Sequence, residues 1–177
     1  GDAFLQLGEQ DRALRAYQRA YAQDDGDERA LLGLARFARS RGDTETARKR
    51  LAAAVALHPE SPDARLAYGR FLFLQTEAAA AQTQFEAGLA LPETERRVQS
   101  RWDLLLALAE TQLARSDVEG ATATIERLDA IRRDHPAVVY LRARIAFDAR
   151  DLVAANELVG RALVNAPDFT PAQMLQG

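Results

Sequence analysis

Cysteine is absent from the 177 residues, and methionine and tryptophan occur once each. The first absence excludes disulfides, thiol nucleophiles and cysteine-ligated metals, and it leaves the compartment open. No apolar run approaches the roughly 20 residues of a membrane span. Neither sign of charge dominates: 23 basic residues face 26 acidic ones, for a net charge of -3. That balance argues against bulk nucleic-acid binding, which requires a strong basic excess. A glycine-rich phosphate loop, a Gly-x-Ser-x-Gly elbow and a His-Glu-x-x-His pair are all missing, so an enzyme is not expected and no cofactor is implied. Lys49 is the one lysine. The basic charge is therefore almost wholly arginine, the cation suited to bidentate recognition of carboxylates and phosphates.

What is present repeats. An alanine recurs at Ala13, Ala47, Ala81, Ala121 and Ala155, at spacings of 34, 34, 40 and 34 residues. Four positions further on stand Tyr17, Leu51, Phe85, Ile125 and Val159, and seven further on Ala20, Ala54, Gly88, Leu128 and Ala162. Offsets of four and seven put three side chains on one helical stripe. Small residues at its ends let a neighbouring helix approach, and the larger middle residue fills the gap. A period in the thirties with two helices per unit is the pattern of a solenoid, whose helix pairs bury their apolar faces only by stacking. The expected fold is all-α, a right-handed α-solenoid of antiparallel helix pairs forming one array over 1–177. Its units are 1–27 (partial), 28–61, 62–92, 93–135 (lengthened), 136–169 and 170–177 (partial). Both ends fall inside a first-of-pair helix, so a fragment of a longer array is expected, with head-to-tail stacking of its open ends.

Within this scheme Gly42 ends one helix and Ser61-Pro62 and Thr170-Pro171 open others. The lengthened unit is expected to hold one helix over 93–115 with Trp102 as a packing residue, a second helix reaching Asp134, and a short helix after it. The acidic cluster 24–28 suits a helix start; it lacks the spacing and distal glutamate of a calcium loop. His58 and His135 each precede a proline and are expected to complement helix C-termini; they share no metal-ligand spacing.

The 34-residue period, Leu34-Ala35 and Tyr68-Gly69 in the first helices, the stripe in the second helices and the terminal Pro59 resemble the tetratricopeptide repeat (TPR). The large aromatic usual near the start of that family's first helix is replaced by Leu31, Arg65, Leu105 and Val139. A second likeness lies in Asp134-His135-Pro136, the stretch Tyr140 to Phe147, Ala166-Pro167-Asp168 and Leu175-Gln176-Gly177. These are similar to the TPR lipoproteins of the bacterial PEP-CTERM/exosortase exopolysaccharide system. That resemblance implies a periplasmic, outer-membrane-associated array with its anchor upstream; without it a cytoplasmic protein is expected.

The TPR resemblance also implies where a partner binds, because helix A of each unit lines the family's concave surface. The positions concerned are Arg36, Arg39, Arg70, Phe73, Glu110, Tyr140, Arg144 and Phe147, with Leu32, Leu66 and Leu106 between them. Arginine beside aromatic side chains is the composition of binding hot spots. It fits a protein or peptide with acidic and apolar residues. The alternatives are solvated arginines over packed leucines, an anionic polysaccharide along the same track, or a regulatory array serving a domain outside this segment. The family's carboxylate clamp is not expected, since leucine and arginine stand where it needs lysine and asparagine.

Overall fold

The computed structural model describes residues 9–92 and 98–166 together with Asp168 and Thr170. Among the described residues there are nine helices and no strand: α1 Gln10–Gln23, α2 Glu28–Ser40, α3 Thr44–Leu57, α4 Pro62–Leu74, α5 Ala78–Leu89, α6 Val98–Ala114, α7 Val118–Ile131, α8 Pro136–Asp148 and α9 Leu152–Asn165. They fall into two compact units, Gly1–Glu93 and Thr94–Gly177. In the first, α2 pairs with α3 and α4 with α5, α1 packs on α2, and α2 also touches α4. In the second, α6 pairs with α7 and α8 with α9, and α6 touches α8. The half-helices expected at residues 1–7 and after Thr170 lie outside the described residues, as do residues 93–97 of the expected 93–115 helix.

The three-residue stripe forms the seam. Ala47, Leu51 and Ala54 are buried, as are Ala81, Phe85 and Gly88, Ala121, Ile125 and Leu128, and Ala155, Val159 and Ala162. Alanine at the first place is fully inaccessible in α1, α3, α5 and α7. Gly69 in α4 shows how close the helices come, because a Cβ there would run into the ring of Phe85. Burial of a ring such as Phe85 contributes about 1.5–3 kcal/mol, which makes that close approach worth the loss of a side chain.

Each helix pair is joined by the same two-residue device. Gly42, Thr76, Ser116 and Arg150 have positive φ, between 60° and 77°. The next residue, Asp43, Glu77, Asp117 or Asp151, donates its N–H back to the carbonyl of Ala38, Leu72, Gln112 or Ala146, at 2.9 Å in every case. This is the closing bond of a Schellman motif, and it satisfies a helix carbonyl that would otherwise be orphaned. Three of those residues then cap the following helix: Asp43 accepts from Thr46 N–H, Asp117 from Gly120 N–H and Asp151 from Ala154 N–H. One residue thus ends one helix and starts the next.

Two expectations for the second unit are corrected. Helix α7 stops at Ile131, short of Asp134, and α8 has the same 13 residues as α2 and α4. The reason is that the two His-Pro pairs stand at different places in their repeats. His58 caps the C-terminus of α3 and its Nε2 lies 2.6 Å from the Gly26 carbonyl. His135 is the N-cap of α8, with Nδ1 accepting the N–H of Ala137 at 3.2 Å and Pro136 as the first helical residue. It is therefore the counterpart of Ser61, and its expected place at a helix C-terminus is overturned.

Candidate functional site

Helices α2 and α4 run side by side with their starts together, because the Ser61 hydroxyl, the N-cap of α4, donates to the Glu28 carboxylate in the first turn of α2. Between them lies a cleft of about 680 Å³. Its floor is apolar, with Leu32, Ala35, Leu51, Leu66, Ala67 and Phe71. Its charge is divided. Glu28 and Asp63 stand at the helix starts with Arg29, while Arg36, Arg39 and Arg70 line the wall further along. The three arginines are exposed, and among the described residues none of their side chains makes a hydrogen bond or an ion pair.

Periodicity explains the placement. Arg36, Arg39 and Leu32 are spaced by three and four residues and share one face of α2, and Leu66 and Arg70 repeat that spacing on α4. Behind the wall, Arg48 of α3 places its guanidinium 5.3 Å from the centre of the Phe71 ring and pairs with Glu77. Glu77 makes no side-chain cap to α5. It takes two hydrogen bonds from Arg48 instead, which hold its carboxyl below the ordinary range and push the guanidinium up. This pair fixes one aromatic of the cleft from outside.

The expected binding residues divide between the two units. Arg36, Arg39 and Arg70 share the cleft of the first. Phe73 is half-buried in α4 and stands outside the residues lining that cleft; the aromatic in its floor is Phe71. In the second unit, Glu110 lies exposed on α6, Tyr140 and Arg144 half-buried on α8, and Phe147 is 42% exposed at the end of α8. Glu28 and Asp63 escaped the sequence reading because acidic residues at helix starts read as capping groups. The signal that would have found them is their position one helix turn before Leu32 and Leu66.

The second unit has its own joint. Trp102 of α6 is 3% exposed and meets His135 edge-on at 4.8 Å, with the Arg132 guanidinium 4.8 Å from the indole. Arg132 also donates to Gln99 Oε1 at 2.8 Å. Burial first, then the charge of Arg132, holds the His135 imidazole below its ordinary value, so it serves as a neutral acceptor. The expected packing role of Trp102 is what its burial shows. Among the described residues no group of three or more His, Asp or Glu side chains could hold a metal ion, and no helix is long and apolar enough to cross a membrane.

Stacked antiparallel helix pairs joined by two-residue turns, with neighbouring first helices in contact, define a helical-repeat solenoid. Family models described as Tetratricopeptide repeat match residues 28–71 and 1–49. Those residues carry tetratricopeptide repeats, and the chain has the TPR fold. The Pseudomonas aeruginosa protein pilF superposes with a TM-score of 0.81 at 18% identity, covering 98% of this chain and 76% of that one. PilW, described as a widely conserved type IV pilus biogenesis factor, gives 0.83 at 18% identity over 98% and 78%. YrrB, described as a TPR protein with an unusual peptide-binding site, gives 0.66 at 17% identity over 98% and 86%. No curated relative matches the sequence.

Proposed function

We propose that this chain is a non-catalytic scaffold that binds a partner protein, with the cleft between α2 and α4 as the contact. TPR proteins generally act as protein-interaction scaffolds. The observation that carries the reading here is the group Arg36, Arg39 and Arg70, exposed and without internal partners beside an apolar floor. Guanidinium groups so placed reach full hydrogen-bonding only through a ligand or water, and Leu32 and Leu66 supply the desolvated surface beside them. The peptide-binding site in the description of YrrB supports a peptide as the bound form.

The setting we propose is the bacterial envelope, in exopolysaccharide export or sorting, with the protein in the periplasm. It rests on the lipoprotein-like stretches at residues 134–147 and 166–177, and the type IV pilus biogenesis role described for PilW supports it. The test is a pull-down from envelope and cytosolic extracts with the wild-type chain and an Arg36→Glu/Arg70→Glu variant of equal helicity. A protein retained from the envelope extract by the first and lost by the second is the expected result. Equal retention by both would move the contact away from the cleft. Retention from the cytosolic extract alone would overturn the compartment.

A further inference from the structure

The cleft is built from matched pairs. Helices α2 and α4 start 34 residues apart, and Ser61 ties those starts to each other through Glu28. Lining residues at the same displacement therefore stand level on the two helices: Leu32 with Leu66, Gly33 with Ala67, and Arg36 with Arg70. A pair of leucines is followed one helical turn later by a pair of guanidinium groups, a step of about 6 Å along either helix. Arg39 lines the cleft on α2 beyond Arg36, and none of the three arginines has a side-chain partner among the described residues. The acidic groups lie away from this end. Asp63 is already engaged within the chain, and Glu28 stands beside Arg29, eight residues before Arg36. That interval is about 12 Å, longer than the roughly 8 Å over which salt at physiological strength screens exposed charges.

Resting on the reading of the cleft as a protein-binding site, we propose that it recognises an extended segment of the partner in which an apolar residue and a carboxylate stand two positions apart. In an extended chain, residues two apart share a face and are separated by about 6.6 Å. That repeat matches the one-turn step from the leucine pair to the arginine pair. The apolar side chain then lies over Leu32 and Leu66, and the carboxylate comes within reach of Arg36 and Arg70 together, with Arg39 beyond them. The intervening residue points away from the cleft and is free to vary. A carboxylate next to the apolar residue points to solvent instead, whichever way the chain runs, because neighbouring side chains lie on opposite faces. An α-helical ligand is the poorer fit. Helices in contact, as α2 and α4 are, have axes about 8–10 Å apart, and a third helix roughly 10–12 Å across does not enter between them.

Fluorescence anisotropy with labelled peptides of one composition tests this. Each carries one leucine and one glutamate in a Ser-Gly background, set two, one or four residues apart and made in both chain orders. Wild-type protein should bind the two-apart peptide roughly tenfold more tightly than the one-apart peptide in at least one order, the effect of two partly exposed guanidinium contacts. An Arg36→Gln/Arg70→Gln variant of equal helicity should bind all of them weakly and without preference. Equal or tighter binding of another spacing by the wild type, with binding lost in that variant, would overturn the two-residue register and leave the cleft a peptide site. A preference for the four-apart peptide, the spacing of one helical turn, would identify the ligand as a helix. Two-apart binding undiminished in the variant, or no binding of any peptide at about 1 mM, would overturn both readings.

Discussion

The two units solve one problem with different chemistry. Ala47 and Ala121 mark a displacement of 74 residues between equivalent positions. At that displacement Glu28 corresponds to Trp102 and Ser61 to His135. In the first unit the starts of the two first-of-pair helices are joined by a carboxylate–hydroxyl hydrogen bond. In the second, an indole packs edge-on against an imidazole. Ser61 and His135 both also cap the helix they precede, through Ala64 and Ala137 N–H. The cap is therefore what the backbone demands, and the partner across the joint is open to either polar or aromatic chemistry. The first-of-pair helices diverge in parallel: Arg36, Arg39 and Arg70 correspond to Glu110, Leu113 and Arg144. Three positive charges in one unit become one acidic residue, one basic residue and a leucine in the other, a difference that favours the first unit for the proposed contact.

Truncating the joints should separate them most clearly. Trp102→Ala removes a buried indole and should destabilise by about 3–5 kcal/mol. Glu28→Ala removes one charged acceptor from a half-buried hydroxyl contact and should lose about 1 kcal/mol. Denaturant unfolding followed by circular dichroism measures both, and equal losses would show that the two joints do not differ in kind.

Acidity should act on one joint before the other. The imidazole of His135 is held below its ordinary 6.5 by burial and by Arg132. A group whose folded value lies below its unfolded one contributes fully above the unfolded value, and the contribution is lost as pH falls through the folded value. Protonation also removes the lone pair that caps α8. The wild type should therefore lose thermal stability between pH 7 and pH 5, and His135→Ser, which restores the residue type of the first unit, should flatten that loss. Asp43, Glu77 and Asp129 have carboxyls held low by Thr46 N–H, Arg48 and Asp134 N–H respectively. Their contributions persist until pH falls below about 4, so the two windows are separable. A loss of equal size in His135→Ser would remove the histidine from the account.

The smallest effects concern the turns, where the units agree. Thr76→Gly, Ser116→Gly and Arg150→Gly should each stabilise by about 0.5 kcal/mol, because glycine meets positive φ without steric conflict. Gly42→Ala should destabilise by about 1 kcal/mol. Melting temperatures of the four variants give the check, and a loss in all three glycine variants would mean that chain entropy outweighs the strain.

These turns also mark where sequence reading stopped. The seam was legible because Ala47, Leu51 and Ala54 and their counterparts repeat at offsets that only a packed helix explains. The left-handed residues were legible at Gly42 alone, since Thr76, Ser116 and Arg150 occupy the same place without glycine's signature. His135 was misread because Pro136 resembles Pro59, although one opens a helix and the other follows one. In the cleft, Arg36, Arg39 and Arg70 followed from helical position. Phe71 did not, because its distinction from Phe73 depends on the angle at which α4 rests on α3 and α5.

Trp102 has an optical consequence. It is the one indole in the chain, and it lies in the second unit under Arg132 and beside His135. Emission excited at the red edge of protein absorption therefore reports residues 98–166 and is silent about the cleft. The ellipticity of the chain counts helices in both units. Recorded on one sample, the two signals are a local and a global thermometer, and the gap between their midpoints is the cooperativity of the array expressed in degrees.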